Sequence, residues 1–465
     1  MPTPRPAPPW SDADRAAARR ELGAIFTDDV TATAGLVVLA ADGSRIFERR
    51  ATAPMTPAST LKLVVAASAL DVLGPTYRFE TRFVSSAPPE MGTLRDGIWL
   101  VGGGDPSLRS DDLERGVGAL WRSGIKAIDG PLTVDDTAFA GPEQNPRWDP
   151  GDLTYGYAAG TSAISLDEDT VEFDVTPDPA GGPARVRAVP QNASIVFSGS
   201  IRSGGYDTSV TIERKPQLPT FGDDASDPHN EFDLDGHIVQ GETQKYYKPV
   251  LGLPGYVGGV VASMFASRDI ALTGGYRAGA APPNAQILWS HPSPPLGTLV
   301  REMLVESNNH TAEQLLRTLG ERAGHPGTDA AGIALEKTEL AKFHVPRDRM
   351  AVYDGSGLAP SDRIMPLTLA ALLANVARSP IGDAYVRSLP LVGKEGTVRS
   401  HELHDAFGRA RAKSGHIENV NALAGSVLTR RHGRVAFAFV VNDGRANADV
   451  VYRNEDRALD ALSRY

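Results

Sequence analysis

Ser59 and Lys62, three positions apart, open the apolar run PASTLKLVVAASALDVLG from Pro57 to Gly74. A hydroxyl is a weak nucleophile until a base takes its proton, and an amine can be that base only while uncharged. The surrounding residues favour the uncharged state. Leucine, valine and alanine occupy all faces of the run, which stops at Gly74-Pro75. The pattern predicts a helix buried in the middle of its domain. Residues i and i+3 share a helix face, which brings hydroxyl and amine within hydrogen-bonding reach. Burial and the positive helix N-terminus both lower a lysine from its reference value of about 10.4. Only 9 of the 47 basic residues are lysine, and arginine could not serve, because it is not deprotonated in proteins. The same spacing also suits an N-cap serine followed by a lysine that snorkels to solvent. A second Ser-x-x-Lys shows what context adds. Ser123 ends a helical pattern, Gly124 breaks it and Lys126 enters a strand, so those two side chains would not share a face.

Two more elements carry polar residues in chemically useful positions. EMLVESNNHTAEQLLRTLG interrupts a helical pattern with the turn Ser307-Asn308-Asn309. RARAKSGHIENVNALAG sets Lys413-Ser414-Gly415 at the start of a terminal hairpin. Singly, these are a capping turn and a basic strand edge. The elements that must hold them are legible too. Ala34 to Ala51 reads as a hairpin turning at Asp42-Gly43, and Ala422 to Asp443 as another turning at His432-Gly433, followed by a helical tail. Hairpins at opposite ends of a chain suggest one sheet closed by both termini, with insertions between. From Tyr77 to about Phe173, short strands alternate with a helix at DDLERGVGALWRSG. Residues 174–241 are rich in Gly, Pro and Asp and strand-like, whereas helical patterns dominate from Leu296 to Arg378.

The chain has 465 residues, enough for about three domains. Its composition, 41% hydrophobic and 22% charged, is that of a soluble globular protein. A net charge of −10 without a basic run points away from nucleic acid and anionic membranes. The absence of cysteine excludes disulfides, thiolate metal sites and a cysteine nucleophile. No apolar run reaches the ~18 residues of a membrane span. The opening MPTPRPAPPWSDADRAAARR lacks the apolar core of a signal peptide, so an exported protein would be represented by a mature or trimmed form.

In their order, the three motifs resemble the Ser-x-x-Lys, Ser-x-Asn and Lys-Thr/Ser-Gly set of penicillin-recognising serine enzymes. VGGGDPSL (Val101 to Leu108), DGPLTVDDTAF (Asp129 to Phe139), SAISLDEDTVEFDVTP (Ser162 to Pro177) and YDGSGLAPSDRIMP (Tyr353 to Pro366) are similar to signatures of class C low-molecular-mass penicillin-binding proteins. These are D-alanyl-D-alanine carboxypeptidases and endopeptidases that trim peptidoglycan, and the resemblance runs from about Arg20 onward. It implies an α+β, multidomain fold: a β-lactamase/transpeptidase-like domain, an antiparallel sheet with helices, carrying nested inserted domains. The expected partition is a discontinuous catalytic domain (1–74 and 287–465), an inserted domain II (75–173 and 242–286) and a small β domain III (174–241). It implies further that Ser59 attacks the carbonyl between two D-alanines, with Lys62 as proton acceptor. Ser307 would relay the proton to the departing amine and Asn309 would hold the substrate backbone. Lys413 would keep positive charge at the site, and Ser414 would bind the terminal carboxylate beside Gly415. The backbone N–H of Ser59 and one from the strand around Ile417 would form the oxyanion hole. The expected ligands are peptidoglycan peptides and β-lactams, with no nucleic acid, metal or cofactor, in an extracytoplasmic compartment. Self-association is left open.

Trp148, Asp152 and Tyr157 in RWDPGDLTYGYAA match the aromatic and carboxylate that bind the free amino end of a diaminopimelate side chain in the best-known branch, with one extra residue of spacing after Trp148. The chain departs from the family pattern at His416, where a threonine usually helps bind carboxylate, and at Glu418 and Asn419. An imidazolium binds carboxylate better than a neutral imidazole does, so weaker or more pH-dependent activity is expected. Two competing functions share the motifs: a β-lactamase or esterase, and a catalytically weak wall-binding protein. Other patterns read as structure. HELH (His401 to His404) lacks metalloprotease spacing and suits a solvated helix face. EFDLDGHIVQGE (Glu231 to Glu242) nearly fits a calcium loop but suits a strand pair turning at Asp235-Gly236. GGGD reads as a strand-to-turn element.

Overall fold

The two ends of the chain build one sheet. In a computed structural model that describes residues 8–27, 33–192, 194–215, 230–443 and 447–465, five strands lie in the order Ala410–Ile417, Val420–Leu428, Arg434–Asn442, Gly35–Leu39, Arg45–Arg49. Every pairing is antiparallel. The Asp42-Gly43 and His432-Gly433 turns fall where the sequence puts them, and both glycines have positive φ (+83° and +74°). The three middle strands are buried along nearly their whole length. A sheet with both faces covered reads as continuous apolar runs such as AFAFVV.

The chain divides into two compact units, Met1–Tyr77 with Pro295–Tyr465, and Arg78–Pro294. In the first unit, the Asp12–Ile25 and Ala448–Arg464 helices cover one sheet face. Leu22, Ile25, Leu459 and Leu462 pack there against Leu36, Val38, Phe437 and Phe439. The Pro366–Val376 helix packs against the Arg434–Asn442 and Gly35–Leu39 strands. The Lys62–Val72 helix touches five other helices of this unit (Leu296–Glu306, Asn309–Ala323, Asp329–Lys342, Pro366–Val376, Gly382–Ser388), which accounts for the burial of every residue from Lys62 to Leu70.

The second unit has its own core, which runs from Phe83 through Phe173 and Phe232 to Ile270. Its five-stranded sheet is mixed, in the order Tyr276–Ala278, Leu132–Asp135, Ile98–Val101, Glu80–Ser85, Gln286–Pro292. Because Gln286–Pro292 pairs with Glu80–Ser85, this unit extends to Pro294, past the 286/287 boundary expected from the sequence. Two local expectations are corrected. Asp235-Gly236 is no turn, because Asn230–Ile238 is one uninterrupted strand. It pairs in parallel with Ile195–Gly199 and Arg202–Ser203, and antiparallel with Ser209–Arg214. Gly236 is required there by a φ of +110° and by Ser209 O, which would lie 1.9 Å from a Cβ. HELH is not helical, and His401 is buried with its Nδ1 2.7 Å from Asp456 Oδ1. Asp456 and Asp460 on the C-terminal helix accept the backbone N–H groups of Glu402, His404 and Ala406, so acidic side chains hold this loop to the helix.

Candidate active site

Ser59 sits on a 3₁₀ turn, Ala58–Leu61, that runs directly into the Lys62–Val72 helix. It is therefore not an α-helix N-cap. Ala58 has φ +46°, a conformation disfavoured for a residue with a Cβ, and such strain is found where surrounding structure over-determines a functional turn. Lys62 is fully buried, and its Nζ donates three hydrogen bonds: to Ser59 Oγ at 2.9 Å, Asn309 Oδ1 at 2.7 Å and Ser356 O at 2.8 Å. One amine thus joins the first two motifs to the YDGSGLAP segment.

Burial pushes the Lys62 amine down from 10.5 to about 7, against the opposing pull of Asp354 and Glu313. Those two carboxylates shape the floor of the site. Glu313, one helical turn after Asn309, accepts the N–H of Ser356 at 2.8 Å and that of Gly355 at 3.1 Å. Asp354 accepts the N–H groups of Gly357 (2.7 Å) and Ala359 (2.8 Å). Together they hold the loop so that the Ser356 carbonyl faces the amine. Burial, then Asp354, pushes the Glu313 carboxyl up to about 8, and the same two causes push Asp362 up to about 11.

The second motif lies between two helices. Ser307 ends Leu296–Glu306 in the left-handed region (φ 60°), Asn308 caps the next helix by accepting the N–H of Thr311 at 2.8 Å, and Asn309 begins Asn309–Ala323. This is the capping turn foreseen in the sequence, and it also brings Asn309 to Lys62. The third motif is on the edge strand Ala410–Ile417. A Cβ on Gly415 would come 2.8 Å from Pro57 O and 3.0 Å from Ser59 N, so the bare glycine lets the strand lie against the nucleophile turn. Lys413 is fully buried, and its Nζ donates to Ser414 O at 2.7 Å. Burial, with Lys62 adding to it, pushes its amine well below the usual lysine range. Desolvation disfavours an ammonium at Lys413, and the charge that bears on it most, Lys62, has the same sign.

Ser414 and His416 lie two apart on one strand and share a face. Ser414 Oγ donates to Thr397 Oγ1 at 2.7 Å. The exposed His416 ring places Nδ1 3.0 Å from Asn421 Oδ1 on the paired strand. Asn421 offers an acceptor there, so Nδ1 carries the hydrogen and neutral His416 keeps a lone pair on Nε2. Ile417 ends the strand ahead of a Glu418-Asn419 turn, where Asn419 has φ +61°.

In the second unit, Tyr157 donates its hydroxyl to Asp152 Oδ1 at 2.7 Å. Trp148 is buried at 4% exposure, whereas Tyr155 is half-exposed and stacks on Tyr157 at 5.4 Å. Tyr155 and Tyr157 thus present the open aromatic surface together. The decoy pair stays apart: Ser123 donates to Leu120 O, and Lys126 lies over the Trp121 ring. Sequence reasoning gave no site role to Glu313, Asp354, Ser356 or Thr397, although Asp354 and Ser356 stand in the YDGSGLAPSDRIMP segment and Glu313 lies four residues after Asn309 on one helix face.

A D-alanyl-D-alanine carboxypeptidase of Actinomadura sp. (strain R39) is 28% identical over 449 residues, covering 92% of this chain and 81% of the relative. The crystal structure of penicillin binding protein 4 (dacB) from Haemophilus influenzae is similar in fold, with TM-score 0.81 and 21% identity over 97% of this chain and 100% of that one. Its complex with a β-lactam gives TM-score 0.74 and 20% identity over 96% and 99%. The model of the D-Ala-D-Ala carboxypeptidase 3 (S13) family matches residues 18–464, and on that match over nearly its whole length the chain belongs to this family.

Proposed function

We propose that the chain is a serine DD-peptidase that cleaves the D-Ala-D-Ala bond of peptidoglycan peptides through an acyl-enzyme on Ser59, and that β-lactams acylate the same residue. One observation carries the reading: a buried amine with proton affinity near neutrality stands 2.9 Å from the Ser59 hydroxyl. Neutral Lys62 has two hydrogens, which it keeps on Asn309 Oδ1 and Ser356 O, and its lone pair takes the Ser59 hydroxyl proton as Oγ attacks the carbonyl carbon. The N–H of Ser59 and one from the strand around Ile417 stabilise the oxyanion. Ser307 passes the proton to the departing D-alanine amine, and Asn309 holds the substrate backbone as well as Lys62. Water then frees the peptide and regenerates Ser59. The substrate carboxylate meets Lys413 and Ser414, supplying the negative charge that an ammonium at Lys413 needs. Asp152 and Tyr157 suit the ammonium end of a substrate side chain. Peptidoglycan lies outside the cytoplasm, so the protein acts there; among the described residues no helix is long and apolar enough to cross a membrane.

The test is incubation with a labelled penicillin and with diacetyl-L-lysyl-D-alanyl-D-alanine. One label per chain on Ser59 and released D-alanine are expected. A label lost within seconds would instead make the chain a β-lactamase, and a bare Ser59 a binding protein. The acylation rate should rise about tenfold per pH unit and level off above about pH 7, where Lys62 becomes neutral. A rate independent of pH from about 5 to about 9 would remove Lys62 as the base.

His416 gives a second test. Its imidazole brings no hydroxyl to the substrate carboxylate. His416→Thr restores a hydroxyl, and kcat/KM at about pH 8 should rise about tenfold, the worth of one hydrogen bond to a charged group. An unchanged kcat/KM in the variant would contradict this account.

A further inference from the structure

Thr397 lies on the 3₁₀ turn Gly396–Val398, outside all three motifs, yet its hydroxyl meets two of their residues. Ser414 Oγ donates to it at 2.7 Å, and Lys413 Nζ lies 3.5 Å away. A threonine hydroxyl has two acceptor lone pairs and one hydrogen. With both lone pairs facing donors, its own hydrogen is turned away from both. Among the described residues no other partner receives it, and Thr397 is exposed to solvent. The hydroxyl is thus a free donor, polarised by the amine and hydroxyl behind it.

The backbone holds it there. Gly396 has φ +47°, and a Cβ on it would come 2.0 Å from Val305 O, two residues before Ser307. Only glycine lets the turn lie this close to the end of the Leu296–Glu306 helix. Thr397 is therefore pinned between the Ser307 turn and the Lys413 strand. At the next position on the Ser414 face of that strand, His416 brings no hydroxyl.

We propose that Thr397 supplies the second hydroxyl of the subsite for the substrate's anionic C-terminus: Thr397 donates to one carboxylate oxygen, and Ser414, its single hydrogen turned from Thr397 Oγ1 on binding, donates to the other beside Lys413. This inference rests on the DD-peptidase reading and names a binding residue of the same site. In that role Thr397 compensates for the histidine at 416.

The experiment uses two thioester acyl donors that share the acyl group, one with a carboxylate on its leaving group and one with that carboxylate amidated. Thr397→Val should lower the ratio of kcat/KM for acid over amide about tenfold, chiefly through KM of the acid. Thr397→Ser should restore the ratio. In a Ser414→Ala background, Thr397→Val should lower it further. An unchanged ratio would overturn the proposal, and so would absence of any further loss in the Ser414→Ala background, which would mean that Thr397 only positions Ser414. Labelled penicillin at saturation separates the two readings: wild type that fails to label defeats the peptidase reading, whereas labelling with an unchanged ratio defeats only the role of Thr397.

Discussion

Replacing Ser59 with alanine is expected to abolish covalent labelling by penicillin and to lower DD-peptidase turnover by about four to six orders of magnitude, since loss of the nucleophile removes the acyl-enzyme route altogether. The protein should fold as before. Ser59 is partly exposed, and its Oγ is one of three acceptors around Lys62, so Asn309 Oδ1 and Ser356 O still hold the amine after the change. Intact-mass measurement of wild type and variant after exposure to the drug reads the outcome directly. An equal mass gain in both proteins would move the nucleophile elsewhere and end the proposed mechanism.

The second large effect concerns the base. Lys62→Arg keeps a cation but cannot release its proton, and Lys62→Met removes the amine, so both should slow acylation about a thousandfold. Their stabilities should differ in an informative way. Holding the Lys62 amine at about 7 instead of 10.5 costs the folded state roughly 5 kcal/mol near neutral pH, taking about 1.36 kcal/mol per unit. The folded state binds this proton less tightly than the unfolded chain, so stability from this group rises as pH climbs from about 7 to 10.5. Lys62→Met relieves that cost but strips a donor from Ser59 Oγ, Asn309 Oδ1 and Ser356 O, at about 1–3 kcal/mol for each acceptor left buried. The two terms nearly cancel, and the methionine variant should melt close to wild type. Lys62→Arg, which forces a permanent charge and a larger head into the same space, should melt well below it. Thermal unfolding at about pH 7 and about pH 9 checks both, and full acylation by either variant would refute general-base catalysis by Lys62.

Much of this was open to a reader of the sequence. The Ser59–Lys62 spacing on an apolar run, the polar turn at Ser307 to Asn309 and the hairpins near both ends each follow from patterns a few residues long. Helical period brings i and i+3 together, strand alternation sorts faces, and glycine or asparagine marks turns. Where local pattern is ambiguous the reading slipped. HELH has helical spacing, but Asp456 and Asp460, more than fifty residues further on, hold its backbone as a loop against the C-terminal helix. Asp235-Gly236 is a turn pair by type, but pairing with Thr211 and Val210 keeps both residues within one strand.

By itself the sequence determined which groups the proposed chemistry uses, because side-chain type and short-range geometry are written in consecutive residues. Only the tertiary structure decided how those groups are tuned. The Ser356 carbonyl reaches Lys62 across 294 positions of chain, and Thr397 reaches Ser414 across 17. The lowered proton affinities of Lys62 and Lys413 arise from the removal of water by the elements packed around them. Desolvation belongs to no single stretch of chain, since it exists only once distant segments have closed over the same point.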